Sequence, residues 1–293
     1  MRIKENENKV LYSEKLKTFS AAHPCEEVTV DGARFRYILC GSAGGKTLVF
    51  LNGGMNTLEM WMDYAGALSG DCRVLLFDYP RELRTNQALV TGMHAFFRKL
   101  GIEAPILIGA SDGGMVAQIY VQKYPGEVGG LILISTGGMD AKTLKSLKRK
   151  YFLAPLMLWY MKHCNYEKLK PKLIKAGMRH IRNESAEEIA YARDLFETIF
   201  KDYKQEKDVH ISGLLADLMN QKPVTEADFA ALAGKILLIL PDQDFFSGTM
   251  QEDLIKLMHN PQISYVSGSH LSTVVKAEDY IRAIHAFLNQ SMK

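Results

Sequence analysis

The sequence predicts an α/β protein: a doubly wound, mostly parallel sheet interrupted by a helical cap insertion. Three observations lead there. Five short runs, at 47–51, 74–77, 106–108, 131–134 and 236–240, are apolar nearly throughout, as strands covered by helices on both faces must be. The intervals between most of them carry helical patterns, and alternating β and α segments with right-handed crossovers wind into a parallel sheet. Between 138 and 234 the alternation stops, with no strand-like run, and roughly 90 residues are too many for a plain crossover.

The elements can be placed in order. Residues 1–25 form an N-terminal extension whose first nineteen residues carry charges throughout and lack the apolar stretch of a secretory signal. Residues 27–40 read as two alternating strands joined at Asp31-Gly32, a dipeptide suited to a two-residue hairpin turn. Helical patterns come next at 58–68, 86–100 and 115–123, the last ending before Tyr124-Pro125. Inside the insertion, Ser185-Ala-Glu-Glu188 and Thr225-Glu-Ala-Asp228 have the spacing of capping boxes and open helical patterns. A strand at 263–266 and a helix at 277–289 close the unit. The expected organisation is a core of 26–138 and 234–293 with a cap of 139–233.

A chain of 293 residues, 47% hydrophobic and 24% charged, buries a core without staples. That balance excludes disorder and collagen-like or disulfide-framework scaffolds. Cys25, Cys40, Cys72 and Cys164 are scattered with no CxxC spacing, which points to reduced thiols and a cytoplasmic protein rather than zinc or disulfides. No apolar run approaches the roughly 18–20 residues of a membrane span. The spacings GxxxxGK[ST] and GxGxxG are missing, so neither a cofactor nor a metal is expected. The net charge of +3 hides an asymmetry: residues 141–182 hold twelve Lys/Arg against the single acid Glu167. That segment carries +11 and the remainder −8. Such a stretch fits solvated helix faces, or a surface that meets anions such as a membrane. Nucleic acid is not expected, because no recognition motif accompanies the charge.

Gly109-Ala-Ser111-Asp-Gly113 lies between the apolar run at 106–108 and the next helical pattern. A sharp strand-to-helix turn projects a serine Oγ from the sheet edge and leaves backbone N–H groups of the helix start unpaired, and small neighbours fit the crowded turn. On these residues the chain resembles the α/β-hydrolase family. The resemblance covers roughly 26–138 and 234–290, with the insertion as the family's variable cap. It implies a serine, an acid and a histidine in chain order. Pro241-Asp242-Gln243-Asp244 follows one late run and Ser267-Gly268-Ser269-His270 the next. Ser111 would attack a carbonyl carbon, His270 would carry the proton, and an aspartate would orient the imidazole. Asp244 best fits the family register, with Pro241 in place of the usual glycine; Asp242 and Asp140 are the alternatives. The remaining seven histidines lie in helical or terminal contexts.

The resemblance also implies two oxyanion donors, the N–H of Asp112 and that of Gly54 in Asn52-Gly53-Gly54-Met55. Asn52 replaces the histidine usual there, and Asp78-Tyr79-Pro80-Arg81 replaces a glycine-rich turn. Asn52, Met55 and Trp159 are the expected substrate contacts. In the cap, Lys148-Arg-Lys150 runs into ten uncharged, mainly apolar residues, 152–161, broken by Pro155. Such a lid would pack on the core, admit an acyl chain, or touch a membrane surface. The expected activity is hydrolysis of a carboxylic ester of a small apolar substrate. Family branches with an aspartate nucleophile do not fit Ser111. Proline iminopeptidase-like and carbon–carbon bond hydrolases remain alternatives, as does a non-catalytic binding protein on the same scaffold. Oligomeric state is not legible.

Overall fold

The computed structural model describes residues 10–291 apart from Ala43. The first nine residues, on which part of the no-signal expectation rests, lie outside this range. The chain enters through helix α1 (Tyr12–Ala22) and the hairpin of β1 (Glu26–Val30) and β2 (Ala33–Gly41). Asp31 and Gly32 both take positive φ, 48° and 81°, as a two-residue turn matched to strand twist requires. Next come β3 (Thr47–Leu51), α2 (Met62–Leu68), β4 (Arg73–Phe77), α3 (Asn86–Lys99), β5 (Ile106–Ala110), α4 (Asp112–Lys123) and β6 (Gly130–Ile134). Five helices succeed β6 without a strand: α5 (Ala141–Lys150), α6 (Ala154–His163), α7 (Tyr166–Met178), α8 (Ala186–Asp202) and α9 (Gln205–Leu218). The chain re-enters the sheet through β7 (Ile236–Gln243), α10 (Thr249–Leu257), β8 (Gln262–Ser269), α11 (Ser272–Val275) and α12 (Ala277–Ser291).

The sheet has eight strands in the order β1-β2-β4-β3-β5-β6-β7-β8. β1 and β2 run antiparallel and the others parallel. Successive side chains of a strand face opposite ways, and here both faces are apolar. In β3, Val49 and Leu51 enter the core that holds Phe96 of α3 and Met115 of α4, whereas Leu48 and Phe50 enter the core of Tyr64 of α2 and Tyr280 of α12. The continuous apolar runs arise from this two-sided burial.

One expectation needs correction. The Thr225 capping box forms, but it opens a 3₁₀ turn, Glu226–Leu232, rather than an α-helix. The described part of the N-terminal extension packs on the cap: Tyr12 is fully buried beside Tyr191 and Leu195 of α8, and Ser13 N–H donates to Asp194. Among the described residues no helix is long and apolar enough to cross a membrane.

Candidate active site

Ser111, Asp244 and His270 each lie immediately beyond the C-terminal end of a parallel strand: β5, β7 and β8 respectively. In open α/β sheets this edge forms the natural ligand crevice. The geometry at Ser111 is strained, with φ 53° and ψ −125°, a region costly for a residue carrying a Cβ and typical of functional sites. The surroundings hold it there. Its N–H donates to Ile134 O at 3.0 Å, and Thr136 Oγ1 donates to its carbonyl at 2.6 Å. The small neighbours are sterically necessary: a Cβ at Gly113 would stand 2.3 Å from Leu51 O, and one at Gly109 would stand 2.5 Å from Gly113 O.

His270 Nε2 lies 3.0 Å from Ser111 Oγ, and its Nδ1 lies 3.0 and 3.2 Å from the two oxygens of Asp244. Asp244 is buried and accepts a further bond from Phe246 N–H at 3.1 Å. The other two aspartates have local duties. Asp242 accepts from Gly268 N–H across the β7–β8 irregularity, and Asp140 caps α5 by accepting from Lys142 and Thr143 N–H. Phe245 and Phe246 pack on the imidazole, with ring centres 4.2 and 5.8 Å away. They come directly after Asp244, so the signal for them lies in the sequence beside the acid.

The loop after β3 is fixed by side chains. Asn52 accepts from Trp61 Nε1 at 2.9 Å and donates to Phe77 O at 2.6 Å and to Asn56 Oδ1 at 3.2 Å. Asn56 in turn ties to the backbone of Tyr79, and Tyr79 OH donates to Asn52 O. Asp78 accepts from Leu58 N–H and pairs with Arg36 and with Lys207 of α9. The Asp78-Tyr79 turn thus locks this loop with specific hydrogen bonds, where a glycine-rich turn would offer only backbone. Gly53 and Gly54 lie against the serine: a Cβ at Gly53 would stand 3.2 Å from Ser111 Cβ, and one at Gly54 would stand 3.7 Å from Asp112 Oδ2. Asp112 is the first residue of α4, so its N–H has no partner within the helix.

Above these residues a cavity of about 830 Å³ separates cap from sheet. Its lining is mainly apolar, with Met55, Met157, Leu158, Phe196 and Leu215 among its walls. Asn52 borders it, but this residue is only 2% exposed and its amide is committed to the scaffold bonds above. It therefore positions the loop and has no polar atom left for a substrate. Trp159 does not line the cavity. It sits on the outer surface of α6, 59% exposed and packed on His163, because α6 turns Ala154, Leu158 and Met161 inward instead. Two polar groups of the wall carry no signal in the sequence. His180, in the 3₁₀ turn after α7, faces Phe245 at 6.0 Å, and burial together with the nearby His270 lowers its pKa. Asp208 of α9 accepts from Tyr166 OH, and burial raises its pKa. Neither sits in a motif, and only the packing of the cap places them.

Residues 46–163 match the family model described as the alpha/beta hydrolase fold. A monoacylglycerol lipase, abhd6-A of Xenopus laevis, is 29% identical over 131 residues, 39% of each chain. The proline iminopeptidase PfmaB of Pestalotiopsis fici is 31% identical over 146 residues, 44% of this chain and 51% of the relative. The chain thus spans about two-fifths to one-half of these relatives. Among solved structures, a hydrolase from Pseudomonas aeruginosa PA01 superposes with a TM-score of 0.70 at 18% identity, covering 90% of this chain and 98% of the other. A thermophilic esterase from Thermogutta terrifontis gives 0.69 at 18% identity, covering 92% and 99%. With the eight-stranded sheet and its helices on both faces, the chain has the α/β-hydrolase fold.

Proposed function

We propose that this protein is a serine hydrolase that cleaves a carboxylic ester, or a related acyl bond, of a small and largely apolar substrate. The observation that carries the reading is the unbroken chain from Ser111 Oγ through His270 to buried Asp244, opening on an apolar cavity of about 830 Å³. Ser111 Oγ attacks the carbonyl carbon while its proton passes to His270 Nε2. Asp244 holds the imidazole with Nδ1–H directed at its carboxylate and stabilises the cation that forms. The developing oxyanion meets the N–H groups of Gly54 and Asp112, each such donor supplying about 2.7–4 kcal/mol of transition-state stabilisation. The imidazolium returns its proton to the leaving alkoxide, which departs as an alcohol. Water then attacks the acyl-enzyme by the same route and releases the acid. No metal or organic cofactor enters this scheme. The four unpaired thiols support a reducing, cytoplasmic setting.

One observation favours a second reading, iminopeptidase-like cleavage of an amide. Asp112 brings a carboxyl into the cavity beside the nucleophile, where a substrate ammonium would find a partner. The decisive experiment is labelling with a fluorophosphonate, together with turnover of nitrophenyl esters of increasing chain length and of proline nitroanilide. Wild type is expected to label and to prefer medium-chain esters, with Ser111→Ala losing labelling and at least about 10⁴ in kcat. Failure of the folded wild type to label would favour a non-catalytic binding protein. Labelling with turnover of the nitroanilide alone would favour the peptidase.

A further inference from the structure

We propose that the corner formed by the end of α5 and the whole of α6 is a docking surface for an anionic phospholipid membrane. Of the thirteen exposed large apolar side chains among the described residues, seven fall between 151 and 160. Phe152 is 71% exposed, Met157 64% and Leu156 60%. An apolar helix in a globular protein is ordinarily buried all round. This one touches the rest of the cap mainly through a narrow stripe, Ala154, Leu158 and Met161, against α9, and leaves its remaining faces open. A contiguous patch of this kind marks an interaction site.

Charge selects the occupant. Lys148, Arg149 and Lys150 end α5 and Lys162 lies in the last turn of α6; all four are exposed, and none forms an ion pair among the described residues. The one acid of the region, Glu167, is held by Lys170 at 2.9 Å. A second copy docking by a two-fold axis would set this cationic cluster against its own image. An anionic bilayer instead complements it, and the mixture of Trp, Tyr, Phe and Leu beside Lys and Arg suits the interfacial zone where ring and ammonium sit together.

The same segment borders the cavity: Tyr151, Phe152, Leu153 and Met157 belong to both. Docked, the protein holds that rim against the lipid, so an amphiphile moves from the bilayer toward Ser111 without crossing water. This last step rests on the serine-hydrolase reading, whereas docking itself does not.

The test is co-sedimentation of the full chain with phosphatidylcholine vesicles and with vesicles containing about one-third phosphatidylglycerol, read together with tryptophan emission. Trp61 is buried and Trp159 exposed, so a blue shift on binding reports α6. Wild type is expected to partition at least tenfold better onto the anionic vesicles and to shift blue. Leu156→Ser with Tyr160→Ser, outside the cavity lining, is expected to lose tenfold or more of that binding while keeping its melting temperature. Lys148→Glu with Arg149→Glu and Lys150→Glu is expected to remove the preference for anionic lipid. No sedimentation at low salt, or binding unaffected by both variants, would overturn the proposal. So would a vesicle-free dimer that the double serine variant dissolves, since a second copy would then cover the face. Fluorophosphonate labelling of the same samples separates the two readings: binding without labelling sinks the hydrolase alone, and labelling without binding sinks the docking surface alone.

Discussion

Asp112→Asn is expected to make the protein more stable at pH 8 and leave it almost unchanged at pH 4. The carboxyl lies against the Gly53-Gly54 loop, and burial pushes its pKa up from 3.8 to about 6, with only the charge of His270 pulling the other way. A group whose folded pKa exceeds its unfolded value binds its proton more tightly in the native state. Its favourable contribution is complete below about pH 4 and is lost as pH rises through about 6. A shift of about two pH units at 1.36 kcal/mol each puts the cost of ionised Asp112 near 3 kcal/mol at pH 8. Water entering the cavity solvates the carboxylate, which makes this an upper bound. Asparagine keeps the shape and carries no charge. Urea unfolding at steps between pH 4 and pH 8 gives the difference between variant and wild type. It should start at a few tenths of a kcal/mol and grow to roughly 2–3 kcal/mol in favour of the variant, half of it present near pH 5 and the rise levelling off above about pH 6. A difference independent of pH, or a variant less stable at pH 8, would refute the reasoning.

Further perturbations test the scaffold. Asn52→Ala strands Trp61 Nε1–H and Phe77 O, both paired through the amide now, and unpaired buried groups cost about 1–3 kcal/mol each. A loss of roughly 2–5 kcal/mol is expected in urea unfolding, with slower fluorophosphonate labelling because the loop bearing Gly54 loosens. Gly113→Ala drives a Cβ to 2.3 Å from Leu51 O and is expected to abolish labelling and destabilise by about 2 kcal/mol or more. Gly66→Ala, with open space around it inside α2, should instead stabilise by about 0.5–1 kcal/mol in the same assay.

Several features are legible because their causes are local. The alternation of 47–51 with its neighbours reads as a two-sided strand since side-chain direction has period two. Asp31-Gly32 reads as a turn because its φ values are a property of those residues. Gly109, Gly113 and Gly114 crowd one turn, so the serine between them announces itself within five residues. Capping boxes behave alike, although the second one opens a 3₁₀ turn, because a cap sets where a helix starts and packing sets how the turns beyond it wind.

Long-range matters are settled by packing. Asp242 and Asp244 are two residues apart and chemically alike. One pins Gly268 and the other reaches His270, and only the path of β8 beside β7 distinguishes them. Asn52 has the position of a substrate contact, but the burial of Trp61 and the end of β4 absorb its amide. Trp159 faces outward because α6 makes contact through one narrow stripe, and a helix apolar on every side carries no sequence signal for which side is covered. The sheet, the strained serine and the chemistry of the three side chains are encoded in neighbours along the chain and can be read from it alone. Which acid reaches the imidazole, which wall encloses the cavity and which apolar face stays open depend on partners distant in the chain, and periodicity carries no information about those.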